Sequence, residues 1–244
     1  MQPFYQMNKR LFIRRSSDNG RARVQSFTIE ARPEFTVLDA LFNVQHQQDP
    51  TLAFRCSCRV GMCGTCGVQV NGVSRLACKT RLSQIEENDI YLSPLPHFKV
   101  IRDLVVSLAP FFEQWKKVLP RLRPRDENGE ELAIIPATSA YTKHSEGKRD
   151  CLTCGLCFAA CGVLATSKQY LGPAAVNKAL LRVLDPRDTA QAERLDVVNG
   201  SRDGVWRCHS QFNCVTVCPK GIDLASSIGF FKRNLLFKDR SLDA

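Results

Sequence analysis

The chain has 244 residues, 44% of them hydrophobic, with a formal net charge of +10 from 34 Lys and Arg against 24 Asp and Glu. Such a length allows two domains of about 100 residues, each with its own core. No apolar run reaches the roughly 18 residues that span a bilayer, so the chain by itself is expected to be soluble, with no transmembrane segment.

The basic excess suits an anionic membrane surface, an acidic partner or nucleic acid. Nucleic acid is not supported by any run of interleaved basic and aromatic residues, since the densest basic stretch, Arg121-Leu-Arg123-Pro-Arg125, reads as a linker. Twelve cysteines admit a disulfide framework or metal ligation. With no signal segment in view and the cysteines at ligand spacing, a reducing compartment is expected.

In chain order, 11–15 and 24–32 are β-prone segments separated by the turn-forming run 16–20, which reads as a hairpin. Thr36-Val-Leu-Asp39 carries a capping-box signature and opens a helix that ends before Pro50, with Leu38, Leu41, Phe42 and Val44 turned toward a sheet. Then comes Cys58-x4-Cys63-x2-Cys66, with Cys78 further on, the plant-type spacing for a [2Fe–2S] cluster. Gly61, Gly64 and Gly67 suit a loop whose backbone approaches the cluster closely. Cys56 is left over. Asn71-Gly72 between two apolar runs signals a tight hairpin, and 90–92 supplies another strand. These elements make a small mixed sheet of the plant-type ferredoxin (β-grasp) kind, expected to fill residues 1–99.

Apolar residues at Leu104, Val105, Leu108, Phe112, Trp115 and Leu119 predict a helix over 101–119, kinked or divided at Pro110. Residues 120–136 read as the linker, so 100–140 is expected to be helix and connection. Residues 141–244 are then a helical domain, with helices over 174–184 and 223–237.

That second domain carries two more cysteine runs. Cys151, Cys154, Cys157 and Cys161 have the bacterial ferredoxin spacing, in which the fourth cysteine serves the other cluster. The partner run is Cys208, Gln211, Cys214 and Cys218, with an amide in the second position. Exchange of the fourth ligands assigns Cys151, Cys154, Cys157 and Cys218 to a [4Fe–4S] cluster. Cys161, Cys208 and Cys214 are left as three thiolates, read as a [3Fe–4S] site; a cube with one labile, non-cysteine iron is the alternative. The architecture is α+β, a plant-type ferredoxin domain followed by a helical bacterial-type one.

The segments 54–67, 76–80, 101–106, 154–161, Leu171-Gly-Pro-Ala-Ala175 and Cys214-Val-Thr-Val-Cys218-Pro-Lys-Gly221 together resemble the iron–sulfur subunit of the succinate dehydrogenase and fumarate reductase family. The resemblance implies electron transfer between a flavoprotein subunit with covalent FAD and a membrane anchor, of one or more subunits, that binds quinone. The [2Fe–2S] cluster would face the flavin and the [3Fe–4S] cluster the quinone. It also implies a peripheral place on the cytoplasmic face of the inner membrane. No catalytic acid or base is identified, so the enzyme activity belongs to the complex.

Three departures from the family pattern stand out. Gln211 replaces an apolar residue, Gly162 replaces the proline after Cys161, and 162–166 lacks the tryptophan that some succinate dehydrogenases place beside quinone. His209 is a quinone-side proton group, a residue that tunes the three-iron cluster, or a surface residue. Gln211 either touches the cluster or lowers its stability. Other function classes are an iron–sulfur subunit of another flavin-linked dehydrogenase or heterodisulfide-type reductase, a free-standing ferredoxin, and a zinc-binding protein. Paired Cys-x2-Cys spacing alone admits the last of these.

Overall fold

Thr36 starts the first helix by reciprocal capping: its hydroxyl accepts from the Asp39 amide, and Asp39 accepts from the Thr36 amide. That helix, α1, is Val37–Gln47, and it buries Val37, Leu38, Ala40, Leu41 and Val44. Phe42, expected on the same face, is half-buried and meets Phe54 edge to face at 5.1 Å. These features come from a computed structural model that describes residues 7–16, 22–124 and 134–236. The chain divides into two compact units, 1–108 with 152–159, and 109–151 with 160–244.

The first unit is a five-stranded mixed sheet in the order β2-β1-β5-β3-β4. Its strands are β1 (Met7–Arg15), β2 (Arg23–Ala31), β3 (Gly67–Val70), β4 (Val73–Leu76) and β5 (Asp89–Ser93). β1 pairs antiparallel with β2 and parallel with β5, so the sheet closes over α1 by a crossover. Most of the turn expected between β1 and β2, 17–20, lies outside the described residues. Asn71 and Gly72 both take positive φ, 47° and 80°, as a two-residue turn between β3 and β4 requires.

Residues 101–107 do not continue a helix. They complete a separate hairpin of β6 (Lys99–Arg102) and β7 (Val105–Ser107). The hairpin is set by Asp103, whose φ of 47° reverses the chain and whose carboxylate is buried. That carboxylate accepts from the amides of Ser16 at 2.8 Å and Ala53 at 2.9 Å, and it pairs with the buried Arg15 at 3.1 Å. Helical spacing of Leu104 and Val105 therefore misread a turn held by distant partners. The helix begins later, as α2 (Ala109–Lys117), with Pro110 in its first turn, where a missing N–H costs nothing. No kink results.

In the second unit α3 (Ala140–Ser145), α4 (Pro173–Val183), α5 (Gln191–Val198) and α6 (Leu224–Leu236) surround a core that includes Leu171, Ala179, Leu180, Val198, Ile228 and Phe231. Pro173 follows Gly172 as the first residue of α4, and Asp223 caps α6 through the Ser226 amide. The expected end of α6 at Phe237 falls outside the described residues. The helix α5 was not legible as a periodic stripe.

The expected linker is in part anchored. Buried Arg194 of α5 donates to the carbonyls of Leu119, at 3.0 and 2.8 Å, and Arg121, at 2.7 Å, and pairs with buried Asp188. Residues 125–133 of that linker lie outside the described residues. Replacing Arg194 by Met strands the Asp188 charge and two carbonyls, so a loss of about 3–5 kcal/mol is expected. A urea midpoint equal to that of the unchanged chain would contradict this.

Candidate iron–sulfur sites

The loop after α1 curls because Arg59, Gly61 and Gly64 all take positive φ, at 58°, 75° and 72°. This turns successive amides inward. The amides of Met62 and Cys63 donate to Cys58 Sγ at 3.2 and 3.3 Å, an arrangement suited to a thiolate. The β3–β4 register, Gly67 opposite Leu76, sets Cys66 beside Cys78, with their sulfurs 3.3 Å apart and both residues buried. Cys63 is exposed at the loop surface.

Two thiols of this group, Cys63 and Cys66, titrate far apart. Hydrogen bonds from Thr65, then from Cys58, lower Cys63 to about 6. Burial pushes Cys66 up to about 12, against the pull of the Cys78 amide, and the sulfurs of Cys78 and Cys63 add to the rise. Buried Cys66, 3.3 Å from the Cys78 sulfur, resists becoming an anion unless a cation shares the site, whereas exposed Cys63 gives up its proton readily. The donor set therefore fits iron. Cys56 is half-exposed, and none of the twelve cysteines, all of them among the described residues, is in a disulfide.

Cys154 and Cys157 belong to the first unit, and Cys151 and Cys218 to the second. The loop at 152–159 packs on the sheet domain through Phe158, stacked on Phe98 at 5.1 Å, and through buried Leu156. Thr153 and Gly155 take positive φ before the helical turn Leu156–Ala159. A Cβ on Gly64 would stand 2.6 Å from Cys154 Cβ and 3.0 Å from its Cα, so the two cysteine loops touch where Gly64 has no side chain. In the second unit the Ile222 amide donates to Cys218 Sγ at 3.4 Å, and Lys178, its pKa lowered by burial, feels the opposing charge of Cys151.

Cys161, Cys208 and Cys214 line one small, partly open cavity in the second unit. Cys161 precedes the helical turn Gly162–Thr166, Cys208 ends the turn Val205–Arg207, and Cys214 lies in the turn Asn213–Thr216. Burial, then the charges of Cys161 and Cys208, pushes Cys214 up to about 12. Burial likewise raises Cys161, with Cys208 adding to the rise. Ser210 and Phe212 sit at positive φ, 54° and 59°, without being glycine. Such backbone costs on the order of 1 kcal/mol per residue and is kept where the surroundings demand it.

Gln211 and His209 are exposed residues at this cavity's rim. A Cβ on Gly162 would lie 2.6 Å from Gln211 Oε1, so the amide occupies the space over Gly162. Two departures noted separately in the sequence are thus one packing arrangement. Trp206 donates from Nε1 to Asn199 at 2.9 Å. Spacing did not single out Tyr170, which lines the same cavity at 0% exposure. Its hydroxyl makes no hydrogen bond of normal geometry among the described residues, with the Cys208 sulfur within its reach. A buried polar atom without a partner, beside three sulfurs, also fits a site built for a bound group.

Residues 10–113 match the family described as a 2Fe-2S iron-sulfur cluster binding domain, and residues 147–222 match a 4Fe-4S dicluster domain. The chain is 39% identical over 198 residues to a mitochondrial succinate dehydrogenase [ubiquinone] iron-sulfur subunit 1 of Oryza sativa subsp. japonica, covering 81% of this chain and 70% of that one. It is 38% identical over 208 residues to a fumarate reductase iron-sulfur subunit of Mycobacterium tuberculosis, covering 85% and 84%. Among solved structures, a chain of the Mycobacterium smegmatis Sdh1 complex in the apo form superposes with a TM-score of 0.85 at 26% identity, over 98% of this chain and all of that one.

Proposed function

The chain belongs to the succinate dehydrogenase and fumarate reductase iron–sulfur subunit family, and from that premise we propose how its residues divide the work of the electron-transfer subunit of a succinate:quinone or quinol:fumarate oxidoreductase. The [2Fe–2S], [4Fe–4S] and [3Fe–4S] clusters of the family supply one-electron redox chemistry. Cys58, Cys63, Cys66 and Cys78 hold the first; Cys151, Cys154, Cys157 and Cys218 the second; Cys161, Cys208 and Cys214 the third.

The protein's part is to ligate, to space and to dry these sites. The inward amides of Met62 and Cys63 support the Cys58 thiolate. Buried Cys66 and Cys78 keep water from the inner side of their site. The observation that carries the reading is the cavity shared by Cys161, Cys208 and Cys214, where the remaining template position is the amide of Gln211. Three thiolates without a fourth favour a three-iron group.

The partners are a flavoprotein subunit carrying FAD on the [2Fe–2S] side and one or more quinone-binding anchor subunits on the [3Fe–4S] side. Among the described residues no helix is long and apolar enough to cross a membrane. We place the chain as a peripheral subunit on the cytoplasmic face of the inner membrane, where its basic excess suits anionic headgroups. His209, exposed at the cavity rim, is the candidate proton group on the quinone side.

Electron paramagnetic resonance of the anaerobically purified complex, with iron and sulfide counted on the same sample, tests this. A three-iron signal is expected when oxidised, with two-iron and four-iron signals on reduction. In Gln211→Cys the oxidised signal should give way to a fourth iron. A full cube in the unchanged protein would assign the fourth iron to Gln211 or solvent, and would favour a related flavin-linked reductase.

A further inference from the structure

Tyr170 precedes the Leu171-Gly-Pro-Ala-Ala175 segment and is held in place from two sides. Its own amide donates to the Ser167 carbonyl at 3.1 Å, and the next amide, Leu171, donates to the Asp203 carbonyl at 2.8 Å. The ring is fully buried, and its hydroxyl makes no hydrogen bond of normal geometry among the described residues, although the Cys208 sulfur lies within its reach. Leaving a buried hydroxyl unpaired costs about 1–3 kcal/mol, so such groups are rare unless something absent from the bare chain accepts from them. The cavity that Tyr170 lines is the one lined by Cys161, Cys208 and Cys214. All three sulfurs lie close enough to act on its phenol electrostatically.

We propose that the Tyr170 hydroxyl donates a hydrogen bond to a sulfur of the cluster site formed by Cys161, Cys208 and Cys214, and thereby raises the reduction potential of that site. The inference rests on the assignment of those cysteines to one cluster, whether three-iron or four-iron. Adding an electron makes the sulfurs more negative, so a donor aimed at them holds the reduced form more tightly than the oxidised one. Burial strengthens the effect because no water competes for the hydroxyl. Tyr170 is then a positioning and tuning residue, not a catalytic one. It would help make the quinone-side site a good electron acceptor.

The test is a redox titration of the intact complex, followed by electron paramagnetic resonance, for the unchanged protein and Tyr170→Phe. Phenylalanine keeps the ring and removes the donor. At a fixed solution potential the oxidised-to-reduced ratio of this one cluster should rise about tenfold, which is about 59 mV for a one-electron couple. The other two clusters should keep their potentials. Pulsed resonance in deuterated buffer should also show an exchangeable proton coupled to this cluster that disappears in the variant.

An unchanged potential in Tyr170→Phe overturns the inference. If the variant does not assemble, biosynthetic replacement of tyrosine by 3-fluorotyrosine keeps the shape and strengthens the donor, and a higher potential is expected. Tyr91 and Tyr141, the other tyrosines among the described residues, line no part of this cavity. No shift there also overturns it. The parent assignment stands or falls separately, on the number of irons in the unchanged protein's cluster.

Discussion

In Cys66→Ser the two-iron signal is expected to vanish, with iron and sulfide falling by one two-iron cluster, while the other two cluster signals persist. Cys66 is chosen because it is buried and its sulfur lies 3.3 Å from that of Cys78, so no exposed side chain can swing in to replace it. A serine oxygen is a harder, less readily ionised ligand, and the same burial that pushes the Cys66 thiol up to about 12 disfavours an alkoxide even more. Turnover from succinate to quinone should fall to background, since the flavin side loses its acceptor. Cys56→Ser, two residues before the loop, should change neither iron nor turnover. A two-iron signal surviving in Cys66→Ser but lost in Cys56→Ser would reassign the ligands.

Gly64→Ala is expected to damage two cluster sites at once without removing a ligand. Two penalties combine. At a φ of 72° an L-residue pays about 1–2 kcal/mol. In addition, the new methyl would meet Cys154 at 2.6 Å from Cβ and 3.0 Å from Cα. The second of these atoms belongs to the backbone, which cannot rotate away, so either the plant-type loop or the loop at 152–159 must move. Both the two-iron and the four-iron signals should therefore weaken, and the chain should be recovered in lower yield. Gly72→Ala is the control, because its φ of 80° is just as unfavourable but its methyl would meet nothing within 4 Å. Equal loss of cluster in both would reduce the effect at Gly64 to backbone strain.

Local chemistry made much of this molecule legible. A ligand loop must wrap a cluster of given size with a fixed number of residues, so Cys58-x4-Cys63-x2-Cys66 and the two bacterial-type runs announce their groups through spacing. The capping box at Thr36 and Asp39, and Asn71-Gly72 in the β3–β4 turn, work the same way, because each satisfies backbone groups or dihedral demands within four residues. The order of the three cysteine groups carried the family resemblance.

What depended on distant partners was not legible. The stretch 101–107 has helical spacing, yet it turns at Asp103 because that carboxylate is claimed by Arg15, Ser16 and Ala53, residues 50 or more positions away. Periodicity counts apolar neighbours and cannot see a buried carboxylate's partners. Arg194 offered no signal either; its charge is buried only because Asp188 and the carbonyls of Leu119 and Arg121 meet it. The sequence by itself determined which residues are candidates to bind iron and the groupings proposed for them, since ligand spacing is a property of the local chain. Only the tertiary structure decided what surrounds those groups: Cys154 against Gly64, the Gln211 amide over Gly162, and buried Tyr170 in the cavity that three cysteines line. Each of these brings together residues far apart in the chain, and close packing, not spacing, selects them.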